Sequence, residues 1–279
     1  MKIRLGISSC PNDTYIFDAL VNGKIDLKGY SFELVIADIE ELNQMATQSA
    51  LDMVKVSIGA LPHFINDYRI MDSGAALGNG VGPLVVAAGT HVDLDNPELK
   101  IAIPGIKTTA NLLLTLFYPH LKNKKPMLFS DIESAVLSCD VDAGVLIHEG
   151  RFTYAEKGLC LVADLGSKWE NHTRLPLPLG CICASRGLSE TVVQDLEDLT
   201  RDSLLYANAH PESSQAFIMN NAQEMKPEVV QKHIELYVNQ YSISLGPSGR
   251  SAIEQMISVL LENPQTAFGS KSIFTNFAA

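Results

Sequence analysis

His148 and Glu149 stand at the end of an unbroken apolar run, Gly144-Val145-Leu146-Ile147. Histidine titrates near working pH, so a ring placed beside a ligand takes or gives a proton there. The run is continuous rather than alternating, as in a parallel strand buried on both faces. It therefore predicts a strand over 143–147 that delivers the ring to the carboxyl edge of a sheet, where ligands of open α/β sheets bind. Two readings of His148 are open at this level: a general base, or a ring satisfied by Glu149 in a structural network. Glu149 either orients the ring or points away from it.

Three more polar clusters end predicted strands: residues 9–14 with Asn12 and Thr14, then Lys55-Val56-Ser57, then Lys107-Thr108-Thr109-Ala110. Two of these places also open helices, where free backbone N–H groups and the helix dipole favour an anion. Thr108 and Thr109 add hydroxyl donors. Each cluster alone also suits simple helix capping. Together they describe a carboxylate ligand held by Ser57 on one side and Thr108/Thr109 on the other, with His148 facing it.

The elements that must position these groups follow from pattern. Strand 2–8, a helix capped by Asn12 or Asp13 and stopped at Gly23, strand 31–37, helix 39–48 and strand 51–57 alternate β-α-β-α-β, the order that builds a parallel sheet. The glycine-rich stretch 74–82 opens a strand rather than a helix, so it is no dinucleotide fingerprint but a close-packed turn beside the cleft. A polar link at 91–97 leads to a second unit: strand 100–103, a helix from Thr108, strand 127–129, helix 131–138, strand 143–147, helix 151–156, strand 159–164 and a polar turn over 169–174. Residues 176–180 (PLPLG) read as the return link to strand 181–184. Helices over 190–208, 211–222, 227–238 and 248–261 complete the chain, punctuated by Gly187, Pro211, Pro227 and Gly246-Pro247. The expected architecture is α/β and two-lobed, of the type II periplasmic-binding-protein-like kind, with the ligand between the lobes. Lobe one is residues 1–90 plus 184–279, and lobe two is 91–183. His63, His172 and His233 fall outside the strand-end pattern and read as structural or surface residues. Phe274 and Phe277 in the tail look exposed, open to packing on their own lobe or on a partner.

Composition narrows the function classes. Of 279 residues, 46% are apolar and 19% charged, the balance of a globular chain rather than a disordered one. A net charge of −11 argues against a nucleic-acid surface, which needs clustered Lys and Arg. The one basic run, Lys122, Lys124 and Lys125, reads as a solvated loop. No apolar run reaches membrane-spanning length, and the first residues enter a strand with no export signal. The five cysteines form neither an even set nor a CxxC pair, so neither disulfides nor a zinc site is expected. Cys181 and Cys183 should share one face of their strand. A cytoplasmic location is the expectation.

The same residues carry a resemblance. Through SSCPNDTYIFDAL, KVS, GNGVGPLV, KTTA, LIHEGRFTY and LPLPLG, in order over nearly the whole length, the chain resembles the 1,4-dihydroxy-6-naphthoate synthase family of the futalosine route to menaquinone. The resemblance implies a cytoplasmic, cofactor-independent lyase that converts cyclic dehypoxanthine futalosine to 1,4-dihydroxy-6-naphthoate with release of dihydroxyacetone. It also implies that His148 is the catalytic base, and that Lys55, Val56, Ser57, Thr108, Thr109, Ala110, Asn12 and Thr14 belong to substrate-binding segments. Ser9 departs from the family, which often has proline before Cys10. The alternatives are chorismate dehydratase, which shares fold and pathway but not the IHE-RFTY block, and a non-catalytic small-anion binding protein.

Overall fold

The computed structural model describes residues 1–89, 92–222, 226–261 and 272–275. His91, where the expected link between units begins, and Phe268 and Phe277 of the tail lie outside the described residues.

The chain first lays down β1 (Lys2–Ile7), α1 (Pro11–Val21), β2 (Ser31–Ile36), α2 (Ile39–Thr47) and β3 (Met53–Ser57), then a 3-10 helix over Ile58–His63, β4 (Tyr68–Ile70) and β5 (Ala76–Gly78). It crosses to a second lobe with β6 (Leu84–Ala87), β7 (Ile101–Ile103), α3 (Thr109–Phe117), β8 (Lys124–Pro126), α4 (Ile132–Leu137), β9 (Ala143–Leu146), α5 (Gly150–Thr153), β10 (Cys160–Asp164) and α6 (Leu165–Thr173). It returns through β11 (Leu177–Ser185) to α7 (Glu190–Ala209), α8 (Gln215–Asn221), α9 (Pro227–Tyr237), α10 (Gln240–Ile243) and α11 (Gly246–Leu260). Among the described residues no helix is long and apolar enough to cross a membrane.

The first sheet runs β2-β1-β3-β11-β4 with β5 also on β11, and the second runs β10-β6-β9-β7-β8. Both sheets are mixed rather than parallel. The expected parallel core is present as β2-β1-β3 and β8-β7-β9, but β11 pairs antiparallel with β3 and β6 pairs antiparallel with β9. Strand β6 lies in the second sheet and β11 in the first, so the strands change sheets earlier than a division at 90/91 and 183/184. The first crossing is the glycine-rich stretch before β6. The second comes before Leu177, because the proline segment expected as a link is already strand, Pro178 being accommodated at an irregularity between Pro178 and Gly180.

Three local expectations change with tertiary context. Lys124 and Lys125 lie in edge strand β8 rather than a loop, and 127–129 is not strand. An edge strand half-open to water needs no apolar run, so periodicity passes over it. All but the last residue of the expected polar turn at 169–174 belongs to helix α6, capped by the Asp164 carboxylate accepting from Ser167 N at 3.0 Å and ended by Arg174 in a left-handed conformation. Trp169 on this helix is fully buried and donates its indole N–H to Pro176 O at 3.2 Å, an anchor whose removal costs about 3–5 kcal/mol in typical cores. Phe274 is buried rather than exposed. It bridges the first sheet beside Ile70, with the Arg250 guanidinium 4.9 Å from its ring centre. Cys181 and Cys183 do share a face, with sulfurs 3.8 Å apart in the core.

The lobes meet closely. A side chain at Gly59 would come within 3.0 Å of the Thr108 backbone across the lobes, and where the chain enters the second lobe one at Gly82 would come within 2.2 Å of the Gly166 backbone. Only hydrogen fits at Gly82, while a Cβ at Gly59 would require the Thr108 backbone to give by a few tenths of an ångström. One apolar cluster lies between the sheets, from Val54 and Val56 of β3 to Val145 of β9 and Ile253 of α11. Separate clusters cover the far faces.

Candidate active site

The cleft between the lobes is walled by the ends of β1, β3 and β9, the first turn of α3, β11, and one face of α9. Every candidate taken from the sequence lines it except Thr14: Asn12, Lys55, Val56, Ser57, Thr108, Thr109, Ala110 and His148 converge there. Thr14 is fully buried, and its hydroxyl donates to Cys10 O and Pro11 O inside the first turn of α1. Val81 and Gly82 line the cleft as expected of the glycine-rich stretch.

Asp13 is the hub of the floor. Helix α1 is capped at Cys10 with Pro11 at its first position, so Asp13 is one turn too late to cap it and points inward instead, contrary to the expected cap at Asn12 or Asp13. Its Oδ2 accepts from Ser8 N at 3.2 Å and Ser8 Oγ at 2.7 Å. Its Oδ1 accepts from Asn12 Nδ2 at 2.9 Å and from the Lys55 ammonium. Asp13 and Lys55 are both buried. Such a pair is tolerable only when its remaining hydrogen-bonding capacity is met, as Ser8 and Asn12 do here for the carboxylate.

On the opposite wall, the hydroxyls behave differently from the sequence expectation. Thr108 Oγ1 donates to Gly105 O at 2.8 Å and caps α3 by accepting from Asn111 N. Thr109 Oγ1 donates to Leu179 O at 2.7 Å and accepts from Gly59 N. Both hydroxyl hydrogens are committed to the protein, so this wall offers a ligand backbone N–H groups at the start of nine-residue α3 rather than threonine hydroxyls. Ser57 is the hydroxyl donor that remains. Its Oγ accepts from Asn43 Nδ2 at 3.1 Å while Asn43 Oδ1 takes the Ser57 N–H at 2.9 Å, leaving the Ser57 hydrogen free for the cleft.

His148 sits two residues beyond β9 in a left-handed turn with φ of 54°. This is an uncommon conformation for a non-glycine residue, and such residues cluster at functional sites. The ring is gripped on several sides. Phe129 meets it edge-on at 4.8 Å, His233 stacks at 6.2 Å and 23°, and Nδ1 lies 3.2 Å from Cys10 Sγ. Although the ring keeps some exposure to the cleft, burial lowers its pKa to about 4. The nearby Asp13 charge pulls it up and Lys55 pushes it down. Burial also raises the Cys10 thiol well above its ordinary value, with the Glu149 and Asp13 charges adding to the rise and Ser8 and Lys55 opposing it. At neutral pH the imidazole is neutral and the thiol keeps its proton.

Two further residues escaped the sequence reading. His233, expected to be structural or at the surface, is fully buried yet lines the cleft from α9, and Tyr237 follows it one turn later. His233 Nε2 meets Asn12 Oδ1 at 2.9 Å. Because the Asn12 amide nitrogen already donates to Asp13, its oxygen must accept, so Nε2 of His233 carries the proton. Burial, followed by His148, Lys55 and Arg151, lowers the His233 pKa well below the usual range. Its Nδ1 lies 4.0 Å from Glu149 Oε1. Glu149 is itself buried. Burial likewise pushes the Tyr237 phenol up to about 12. The i, i+4 spacing of His233 and Tyr237 on one helical face is a signal, but nothing local says that this face meets the cleft.

Among the described residues no group of three or more His, Cys, Asp or Glu side chains is placed to hold a metal ion. What the described residues of the cleft offer is the neutral imidazole of His148 backed by that of His233, a buried ion pair and an anion-binding wall of backbone donors. That set suits proton transfer on a small carboxylate.

Comparison with known proteins gives the same direction. A family model described as menaquinone biosynthesis matches residues 3–262. The chain is 41% identical over 256 residues to a protein of Thermus thermophilus named 1,4-dihydroxy-6-naphthoate synthase, covering 92% of this chain and 93% of that one. It is 39% identical over 261 residues to the Streptomyces coelicolor protein of the same name, covering 92% of each. A crystal structure of an Archaeoglobus fulgidus protein superposes with a TM-score of 0.86 at 36% identity, over 92% of this chain and 96% of that one. A ligand-binding component of an ABC-type import system from Staphylococcus aureus superposes at 0.71 with 13% identity, over 99% of this chain and 98% of that one. This last likeness concerns the fold alone, which is that of periplasmic binding proteins.

Proposed function

Since the chain belongs to the menaquinone-biosynthesis family and is an enzyme of that pathway, we propose that it converts cyclic dehypoxanthine futalosine to 1,4-dihydroxy-6-naphthoate with release of dihydroxyacetone, and that His148 is its general base. The observation that carries this reading is the position of His148: a neutral imidazole at the floor of a cleft whose opposite wall is the N-terminus of α3 and whose side is Ser57.

In this reading the substrate carboxylate rests against the backbone N–H groups at Thr109 and Ala110 and takes the Ser57 hydroxyl hydrogen. The carbon framework then faces His148. Cleaving C–C and C–O bonds beside carbonyl or enol groups needs a base to remove a proton, donors to hold the developing oxyanion, and an acid to return the proton. A base of pKa about 4 is ready but weak. A bound anion beside the ring favours its protonated form and raises that value toward the working range, where a general base is most effective. The Lys55 ammonium, beside the same floor, is placed to oppose the negative charge that grows as the bond breaks. A positioned base of this kind contributes roughly two to four orders of magnitude in rate.

The test is product formation from cyclic dehypoxanthine futalosine by the purified protein and by His148→Ala, with substrate binding measured separately. Turnover by the wild type, and binding without turnover by the variant, are expected. A folded wild type that gives no naphthoate would remove the substrate assignment, and an active His148→Ala would remove the base.

A further inference from the structure

We propose that Cys10 is the positioning residue for His148: its sulfur accepts a hydrogen bond from the Nδ1–H of the ring and so holds the tautomer whose Nε2 lone pair is available to the cleft. The inference deepens the general-base reading above and rests on it for its catalytic meaning, though not for its test.

Cys10 Sγ and His148 Nδ1 are 3.2 Å apart, 138 residues apart in the chain. Each partner is held independently of the other. Cys10 is fixed as the N-cap of α1, with Pro11 next, its backbone N–H on Ser8 Oγ and its carbonyl taken by Thr14. His148 is fixed by its left-handed backbone, by Phe129 at its edge and by His233 stacked against it. The contact is therefore built rather than incidental.

Its direction follows from charge. A neutral imidazole carries one hydrogen and a thiol carries one, so either group can be the donor. The negative charges of Glu149 and Asp13 act on the sulfur, with Ser8 and Lys55 opposing them, and the ring nitrogen lies 3.2 Å from it. The two carboxylates draw the positive end of the S–H dipole toward themselves and turn the sulfur lone pairs toward the ring. Nδ1 then carries the proton, and Nε2 is the base. With the opposite polarity, Nε2 would carry hydrogen and the ring would enter the reaction only as a donor. Burial keeps the thiol protonated, so Cys10 is a poor nucleophile here, and a role through His148 accounts for its place against the ring. This logic is the reverse of a cysteine–histidine dyad: the sulfur serves the imidazole.

The experiment is ¹⁵N NMR of the full-length protein labelled at histidine, at neutral pH without ligand, with His148 assigned by the signals missing from His148→Gln. The expected wild-type pattern is a protonated Nδ1 and an unprotonated Nε2. In Cys10→Ala the Nδ1–H preference is lost. With cyclic dehypoxanthine futalosine, Cys10→Ala should lower kcat roughly tenfold or more with KM within about twofold, less than the ~10⁴ that loss of tautomer costs where a buried carboxylate is the orienting group. Cys10→Ser, which keeps an acceptor at the same place, should recover part of the rate and the wild-type tautomer. Finding Nε2–H in the wild type, or an unchanged tautomer in a folded Cys10→Ala, overturns the proposal. Both tautomer readouts stand whether or not the substrate is correctly assigned, so failure of the function and failure of this inference are separable.

Discussion

His233 Nε2 donates to Asn12 Oδ1 across 2.9 Å, joining helix α9 to the start of α1 over 221 positions of sequence. Asn12 passes the constraint to Asp13, and Asp13 to Lys55. The C-terminal helices thereby fix the floor of a cleft whose other residues all come earlier in the chain.

Replacing His233 by Leu keeps much of the bulk and removes the donor. Asn12 Oδ1 is then left buried without a partner, at a cost of about 1–3 kcal/mol. Urea unfolding should show a lowered midpoint with an unchanged slope, and His233→Gln, which retains an N–H donor, should recover part of the loss. Equal stability of His233→Leu and wild type would mean that the contact contributes nothing.

Acid should weaken the fold through the two histidines. Both have folded-state pKa values below the unfolded value near 6.5, so the unfolded chain binds protons that the folded chain refuses. Their burial therefore costs nothing above about pH 6.5 and becomes destabilising as pH falls, for His148 down to about 4. Each group contributes a slope approaching about 1.4 kcal/mol per pH unit. Unfolding free energies measured from pH 7.5 to 4.5 should fall less steeply in His148→Gln than in wild type, and a parallel pair of curves would exclude the linkage.

Asp13→Asn leaves the Lys55 ammonium buried without its counter-charge and should cost about 3–5 kcal/mol. The double variant Asp13→Leu/Lys55→Met removes both charges and should recover most of that stability while remaining inactive. Thermal unfolding of Asp13→Leu, Lys55→Met and the double variant gives the coupling. Additive losses would show that the pair does not act as a unit.

Ser57→Ala should weaken binding of the carboxylate substrate roughly 10- to 100-fold, the equivalent of one hydrogen bond to a charged group, with a smaller change in kcat. Thr109→Val should act differently. Its hydroxyl joins Gly59 N to Leu179 O, so stability falls along with binding. Titration calorimetry beside thermal unfolding separates the two patterns, and an unaltered substrate affinity in Ser57→Ala would move the carboxylate elsewhere.

Much of this cleft was legible because strand ends and helix starts leave local signals. The apolar run before His148, the Lys55-Val56-Ser57 strand end and the Thr108 cap each mark their own place, and the β-α alternation brings them to one edge. His233 was not legible, because a histidine in mid-helix reads alike whether its face meets solvent or a distant asparagine. Asp13 looked like a cap because Asp commonly caps helices, whereas Pro11 moved the helix start and turned the carboxylate inward. The threonine hydroxyls were misjudged for a related reason: side-chain type gives the capacity to donate, and only the fold shows that Gly105 and Leu179 have already taken it. Edge strand β8 lacked the apolar signature that marks its neighbours, and Pro178 and Gly180 made the apolar start of β11 read as a link, since pairing rather than composition makes them strands.

The place of β11 between β3 and β4 also bears on the chain as it is being made. All strands of the second sheet precede Leu165, so that sheet is complete in sequence while the first still lacks one of its interior strands. Between emergence of Ser57 and Ser185 a ribosome working at 5–20 residues per second needs roughly 6–25 s. During that time the buried edge of β3 has no neighbour on one side, an unpaired edge of the kind that recruits other chains. Soluble yield in cells should therefore depend more on the speed and fidelity with which β11 docks than on the final stability of either lobe.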